Sequence, residues 1–476
     1  MGRNWWLVVW MALLLEVLTG CASPQYAAEP TVAVSRDCDR HFTLWRNWVV
    51  SDDRFDAQEW SPPGFPYLRV DRFLASFDLT ELTPAQRRDW LGRAYDKADI
   101  AWQFELQGGP DASSQWLDDL RSCALQAVSK LGAESDLWLK LAESVQVPDS
   151  YSTPAQVLGV YPLVKPVVRW RAGVTMGELV DQYGHYKALA GWRTYVPDLT
   201  DVVGRSEVET YPLDSLGVPV LGESLRLMLF QRHAPAWRIE TRDSHDVPGI
   251  PARGLNGQLQ FRPEPVVFTH LSFARMRGRI LPQLVYVLWF SGRPSEHWLD
   301  IYAGELDGFI WRVTLGPRGQ PLAYDTIHPC GCYHQWLLPE GGLVKSVGVD
   351  YEAEQIWLLG SLPLGGKEAP LLSLSAGDHQ LVGASGFHPT DLGAEIHSYR
   401  LESLDGLRGL SNAGGRLYGD DGLIAGTERL ERFLLWPTGV PSAGGMRQWG
   451  RHAVSFVGRR HFDDPHLLDR YFLPPP

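Results

Sequence analysis

Four residues capable of binding a metal or doing redox chemistry fall at every second position of the run His328-Pro329-Cys330-Gly331-Cys332-Tyr333-His334. Imidazole and thiol are ligands that zinc and copper accept, and thiolate softness favours those metals. On an extended strand His328, Cys330, Cys332 and His334 share one face. The outer histidines then stand ~20 Å apart at ~3.3 Å per residue, whereas one zinc holds its ligands at about 2.0–2.3 Å. A single site made from all four therefore requires the chain to fold back, and Pro329 and Gly331 are residue types that permit the turn. Three chemistries fit this spacing. The four residues, or the thiols with one histidine, hold zinc or copper. Cys330 and Cys332 instead close a small, strained and therefore exchangeable disulfide. Or that disulfide is static, in a turn with two surface histidines.

Further ligands are available in His461-Phe462-Asp463-Asp464-Pro465-His466, where His461, Asp463 and His466 lie within six residues. The same run also reads as the start of a short terminal helix over 465–472, with Asp464 as N-cap and Pro465 in the first position. His297 and His397 are isolated, and each reads as a surface or core residue. Asp243-Ser244-His245-Asp246 reads as a polar turn whose Asp and His together can touch an ion. No G-x-S-x-G elbow, P-loop, G-x-G-x-x-G or H-E-x-x-H occurs. Nothing here supports a serine hydrolase, a nucleotide enzyme or a common metalloprotease.

The elements that must position these residues change character along the chain. From about Pro84 to Tyr183 apolar residues recur at helical spacing. Thr83-Pro84-Ala85-Gln86 starts one helix, with Thr83 as N-cap, Pro84 first and Gln86 third. A second helix over about 113–131 places Trp116, Leu120, Cys123 and Ala127 on one face, and further helices are expected near 134–145 and 175–190. From about residue 195, Pro and Gly punctuate short runs of β-branched and aromatic residues. Leu284 to Phe290 predicts a buried strand, and Phe309 to Leu315 a half-buried one. Gly316-Pro317-Arg318-Gly319 is a turn, and Pro321 to His328 a returning strand that ends at the candidate site. Strands are also expected over 344–349, 355–359 and 369–374.

At the N-terminus, Met1-Gly2-Arg3-Asn4 carries one fixed cation, and an apolar stretch runs from Trp5 to about Leu15 before Leu18-Thr19-Gly20-Cys21. These four residues resemble the lipobox of bacterial lipoproteins. The resemblance implies signal cleavage before Cys21, lipid on Cys21, and a membrane surface outside the cytosol. Ala22 after the cysteine leans towards the outer membrane and its periplasmic face where the host is Gram-negative. With Cys21 lipidated, four cysteines remain in an oxidising compartment. The economical pairing joins Cys38 to Cys123 and leaves Cys330 and Cys332 to each other or to a metal. The Ile327–His334 segment is also similar to one in uncharacterised bacterial envelope proteins, a likeness that carries no activity.

Composition sets outer bounds. Of the 476 residues, 455 follow Cys21, enough for one large or two ordinary domains. The formal net charge of −12 disfavours electrostatic binding of nucleic acid or of an anionic lipid surface. The 44 basic residues comprise 7 Lys and 37 Arg, a balance that a GC-rich genome explains. The expected protein is α+β. Residues 1–20 form a signal peptide and 21–37 a lipidated tether. A mainly helical region over 38–194 then precedes a mostly antiparallel, β-rich region over 195–476, in one domain or two. Its expected role is that of a metal-binding envelope lipoprotein. The rivals are an envelope scaffold that meets a protein partner and carries a Cys330–Cys332 disulfide, and a metal-dependent enzyme, which needs an open coordination position and a nearby carboxylate.

Overall fold

The computed structural model describes residues 31–475, apart from 33, 110–112, 199–209, 347–352, 365–367 and 388–395. The signal-like segment and Cys21 lie outside the described residues.

Helix α1 (Arg36–Ser51) begins at Ser35, whose hydroxyl accepts the Cys38 N–H, and it buries Cys38, Phe42, Trp45 and Val49 at helical spacing. Helix α2 (Pro84–Glu105) starts as its residues predict, with Thr83 and Gln86 in a reciprocal capping box. Helix α3 (Ser113–Ala133) turns Leu120, Cys123, Ala124 and Ala127 inward. Cys123 thus meets Cys38 on α1, and the two form a disulfide across 85 residues of sequence. Closing a loop of that length removes chain entropy worth roughly 4 kcal/mol in the usual model. Helix α4 (Ser135–Ser144) completes this layer, its Trp138 packed edge-on to Trp90 at 6.0 Å. Helices α5 (Thr153–Leu158) and α6 (Tyr161–Gln182) follow on the outside. The helix expected over 175–190 is the end of α6. It stops at Gln182 because Gly184 takes a positive φ of 77° and the chain leaves as a strand at Gly191.

The fold is therefore α+β, and the longest helix described inside the β-rich part is α7 (Glu223–His233). Its main sheet has eleven strands. In chain order these are β1 (Gly191–Pro197), β2 (Ala236–Thr241), β3 (Val266–Met276), β4 (Arg279–Arg293), β5 (Gly304–Leu315), β6 (Pro321–Ile327), β7 (Gln335–Leu338), β8 (Trp357–Ser361), β9 (Ala369–Leu374), β10 (Leu381–Phe387) and β11 (Ile396–Ser403). The spatial order is β8-β7-β6-β5-β4-β3-β11-β1-β2-β9-β10. The run β3 to β7 is an antiparallel meander. Parallel pairs join β7 to β8, β3 to β11, β11 to β1 and β2 to β9, so the sheet is mixed although mostly antiparallel.

Two expectations are revised in detail. Among the described residues of 344–349 the strand covers Val344–Lys345, and 347–349 lie outside the described residues. The terminal helix, α9, spans Leu467–Tyr471 rather than 465–472. Asp464 accepts the N–H of His466 in a local turn, and the Pro465 carbonyl is taken by the N–H of Arg275 on β3, so both residues stay outside the helix.

The two faces of the meander bury different cores. On β5, Phe309, Trp311, Val313 and Leu315 point to a core shared with Trp237, Tyr286 and Phe290. Ile310 points the other way, with Val285, Val287 and Ile327 towards Trp449 and Phe462. The helical layer joins the sheet through apolar contact, Phe73 lying 5.2 Å from Phe273, and through a buried band of charge. In that band Arg408 bonds Asp56 and Glu59, and Arg69 bonds Glu105.

Candidate functional site

The H-x-C-x-C-x-H segment is the connection from β6 to β7, and it folds back on itself. Gly331 donates its N–H to the His328 carbonyl at 2.8 Å, and His328 donates to the Cys332 carbonyl at 3.0 Å. Gly331 has a φ of +92°, and a Cβ there would stand 2.4 Å from the Ala453 carbonyl oxygen, so this turn requires glycine. Tyr333 follows at a φ of 62°. The consequence is that the two cysteines converge. The Cys332 N–H points at Cys330 Sγ at 3.4 Å, and both residues are free thiols, Cys330 buried and Cys332 half-buried.

Arg447 clamps this turn from the C-terminal segment. Its Nε donates to the Cys330 carbonyl at 3.0 Å and its Nη2 to the carbonyls of Pro441 and Ser442. Glu431 is the other close charge. It is 7% exposed, and among the described residues its carboxylate has no hydrogen bond and no ion pair. A buried carboxylate without a partner is uncommon and marks a place where chemistry is worth seeking. Burial pushes Glu431 up to about 7, against the pull of Arg293, Arg429 and Arg447. The hydrogen bond to Cys330, then burial, then the charges of Cys330 and Glu431 push the Cys332 thiol well up, and Arg447 acts in the opposite direction.

The two histidines of the segment do not join the thiols. His328 Nδ1 faces Asp307 Oδ1 at 3.4 Å, on the side of the sheet where Phe309 and Trp311 are buried. His334 Nε2 meets Asp325 Oδ2 at 2.9 Å. Asp325 stands opposite Arg312 in the β5–β6 register and is bonded to it on the other face. The sheet therefore lies between the histidines. Burial drives His334 down to about 4, more than offsetting the pull of Asp325, so it is neutral at physiological pH. Among the described residues no group of three or more His, Cys, Asp and Glu side chains is arranged to hold a metal.

Nor do the C-terminal candidates reach the turn. His461 Nε2 lies 3.1 Å from Asp149 and accepts the Ser150 N–H, and Asp463 takes both oxygens to Arg72 at 2.9 Å. His466 is exposed at the start of α9. His297 is exposed, and His397 stacks on Tyr195 at 5.2 Å.

A chain of buried ionisable groups runs beside the site. Asp307 binds His379 Nδ1 at 2.8 Å, and His379 Nε2 lies 3.5 Å from Asp246. Phe290 stacks flat on the His379 ring at 3.7 Å. Burial opposes charge on His379, but Asp246 and Asp307 outweigh it and hold the imidazole up at about 9. Burial likewise opposes the charge of Asp307, which His328 and His379 nevertheless keep far below the ordinary carboxylate range. A raised histidine stabilises the fold fully below its unfolded value of about 6.5 and loses that contribution as pH rises through its folded value. A depressed carboxylate contributes above its unfolded value of about 3.9 and loses its contribution on acidification. Stabilisation from the Asp307–His379 pair is thus complete between about pH 4 and 6.5 and fades towards pH 9. Denaturant titrations from neutral to alkaline pH should show wild-type stability falling relative to His379→Gln; parallel curves would contradict the pairing.

Spacing did not reveal Glu431, Arg447, Asp307 or His379, since each lies far along the chain from its partner. Asp246 alone had a signal, in the polar turn 243–246. Compared with known proteins, the chain matches no family model, no curated protein and no solved structure.

Proposed function

We propose that this chain is an exported, lipid-anchored envelope protein that exchanges thiols with disulfides through Cys330 and Cys332. The observation that carries the chemistry is two free thiols brought together on the Gly331 turn beside the unpaired carboxylate of Glu431. The location rests on the resemblance of Leu18–Cys21 to a lipobox, and it is supported by the Cys38–Cys123 disulfide, a bond that persists in oxidising compartments.

In the exchange, the half-buried Cys332 sulfur attacks one sulfur of an external disulfide, whose S–S bond breaks and releases one thiol. Cys330 then attacks the Cys332 sulfur of the mixed disulfide and releases the second thiol. The protein dithiol is oxidised to a disulfide, and the external disulfide is reduced to two thiols. Because a hydrogen bond and burial keep Cys332 protonated, a proton acceptor is needed before attack. Glu431 fills that role and returns the proton to the departing thiolate.

Zinc or copper is the second reading, on the two sulfurs alone and not on the set His328, Cys330, Cys332 and His334. Arg447 favours it by lowering the cost of thiolate at Cys332. A metal-dependent enzyme would need an open coordination position and a nearby carboxylate; Glu431 is the carboxylate near the sulfurs, whereas His461 and Asp463 are tied to the helical layer. A protein partner in the envelope is compatible with either reading.

One preparation separates these readings. Membrane fractionation of Cys21→Ser should release the protein to the soluble fraction with loss of lipid label; retention with label intact overturns the anchor. Thiol counting on the wild type with and without reductant should find Cys330 and Cys332 interconverting. Near-stoichiometric metal by elemental mass spectrometry, absent from Cys330→Ala/Cys332→Ala, would replace exchange with metal binding.

A further inference from the structure

Cys332, Tyr333, Arg293 and Tyr302 are half-buried, within reach of a ligand, whereas Arg429 and Arg447 are buried. Backbone contacts bring these distant segments to the thiol turn. Glu431, just before the short helix α8 (Arg432–Leu435), donates its N–H to the Ile301 carbonyl at 3.2 Å, which places Tyr302 beside it. The Arg293 guanidinium stands 5.3 Å from the centre of the Tyr302 ring and lies beside the Tyr333 hydroxyl. Glu431 and Arg429 pack together on Gly444, where a Cβ would collide with both side chains. Burial pushes the Tyr302 and Tyr333 hydroxyls up, and the charges of Glu431 and Cys332 add to it at both. The two tyrosines therefore share one desolvated pocket with the sulfur that attacks.

Three guanidiniums, those of Arg293, Arg429 and Arg447, act on Glu431 here, and among the described residues none of them has an ion pair. Arg447 donates to the carbonyls of Cys330, Pro441 and Ser442. Arg429 donates to the Leu306 carbonyl, and its buried Nη1 has no hydrogen-bond partner. Buried cations are ordinarily paired. The other carboxylates that act on Arg293 are engaged elsewhere. Asp307 bonds His379, Asp378 accepts the Ser375 hydroxyl at 2.5 Å, and Asp300 accepts the N–H groups of Glu296 and Tyr302. Glu431, near 7, carries only part of a charge at neutral pH. A carboxylate brought to the Cys332 sulfur would complete a pair with Arg293, since carboxylate and guanidinium match bidentately. We infer that the disulfide exchanged at Cys332 is a small one bearing carboxylates, one of which Arg293 holds between Tyr302 and Tyr333. This rests on the exchange reading proposed above and names its substrate class. Cys332 forms the mixed disulfide with the half that Arg293 holds, and the other half leaves as its thiol.

Three small disulfides of similar size separate charge from reactivity: dithiodipropionate is anionic, hydroxyethyl disulfide neutral and cystamine cationic. Each rate constant with the protein is divided by that of a neutral model thiol, which removes the intrinsic reactivity of the disulfide. The normalised rates should rank anionic above neutral above cationic, with dithiodipropionate at least ~tenfold ahead of cystamine. The gap should narrow as salt rises. Arg293→Met should erase most of the preference, and Arg293→Lys, which keeps the charge but not the fork, should retain part of it. Arg318→Met, on the exposed turn 316–319, should rank the three as wild type does. Circular dichroism checks that each variant folds, and the wild-type ranking decides the matter if Arg293→Met does not. Equal normalised rates, or a preference that survives in folded Arg293→Met, overturn the inference and leave exchange standing. Inertness to all three disulfides removes the exchange reading, and the substrate class with it.

Discussion

Cys330→Ser should trap glutathione on the protein, and Cys332→Ser should hardly react with it. With oxidised glutathione, the wild type is expected to release two thiols per chain and to end as an internal disulfide, lighter by two hydrogens in intact mass. Cys330→Ser removes the resolving sulfur, so the reaction stops at a stable adduct on the half-buried Cys332. Cys332→Ser leaves only the buried Cys330, and its reaction should fall to the rate of the protein-free control. The largest kinetic effect short of removing sulfur belongs to Glu431. General-base assistance is commonly worth ~100-fold or more, and Glu431→Gln should lose about that much while keeping the fold and both thiols. The pH profile is the sharper readout. With Glu431 near 7, the wild-type rate should climb through neutrality as the carboxyl deprotonates. In Glu431→Gln that inflection should vanish, leaving only the alkaline rise of the thiol itself. An inflection that survives in the glutamine variant would show that Glu431 is not the base. A wild type inert to disulfides would remove the exchange reading altogether.

Arg408→Met should be the most destabilising substitution at the seam between the helical layer and the β-rich part. Arg408 is buried and serves three carboxylates: Nε donates to Asp56 at 2.7 Å, Nη2 to Glu59 at 2.6 Å and Nη1 to Asp405 at 3.0 Å. Methionine matches much of its volume, so the loss is electrostatic rather than steric. Asp56 would keep the Gln448 amide at 2.8 Å, and Glu59 the Gln58 amide at 3.2 Å and the distant Lys97 at 3.5 Å, neither of which replaces the guanidinium. Removing one member of a buried ion pair typically costs about 3–5 kcal/mol, because the other charge stays desolvated. The drop should appear as a lower denaturant midpoint. Arg408→Lys should recover only part of it, since an ammonium cannot span the three carboxylates as the guanidinium does. Adding Asp56→Asn and Glu59→Gln to Arg408→Met should restore stability by removing the stranded charges. A loss below about 1 kcal/mol for Arg408→Met would mean that water reaches the seam and the charges are solvated.

Much of the fold was legible because its signals are local. Thr83 and Gln86 lie one helical turn apart and cap each other's backbone, so the start of α2 needed no tertiary information. Alternation over Phe309–Leu315, the turn at Gly316–Gly319 and the return at Pro321 defined two strands and their pairing. Helix α1 was missed, although Ser35 caps it and Phe42, Trp45 and Val49 follow at helical spacing. The short terminal helix was placed two residues early, because Asp464 and Pro465 suit a helix start as well as the turn and the contact with β3 that they make.

By itself the sequence determined the α+β order, made Cys38 with Cys123 the economical pairing, and required a fold-back at Pro329 and Gly331 for any one site made from all four residues of the segment. Each follows from residue type and short-range spacing, which act through one helical turn, one strand period or one count of thiols. Only the tertiary structure decided that His328 and His334 part company. Successive strand residues face opposite sides, and the register of β5 against β6 puts Asp307 on one side and the Arg312–Asp325 pair on the other. The same holds for Arg447, 117 residues beyond the Cys330 carbonyl that it clamps, and for His379, 72 residues from Asp307. Such partners are chosen by strand order and by what the closed core leaves beside them, and no local pattern encodes that choice.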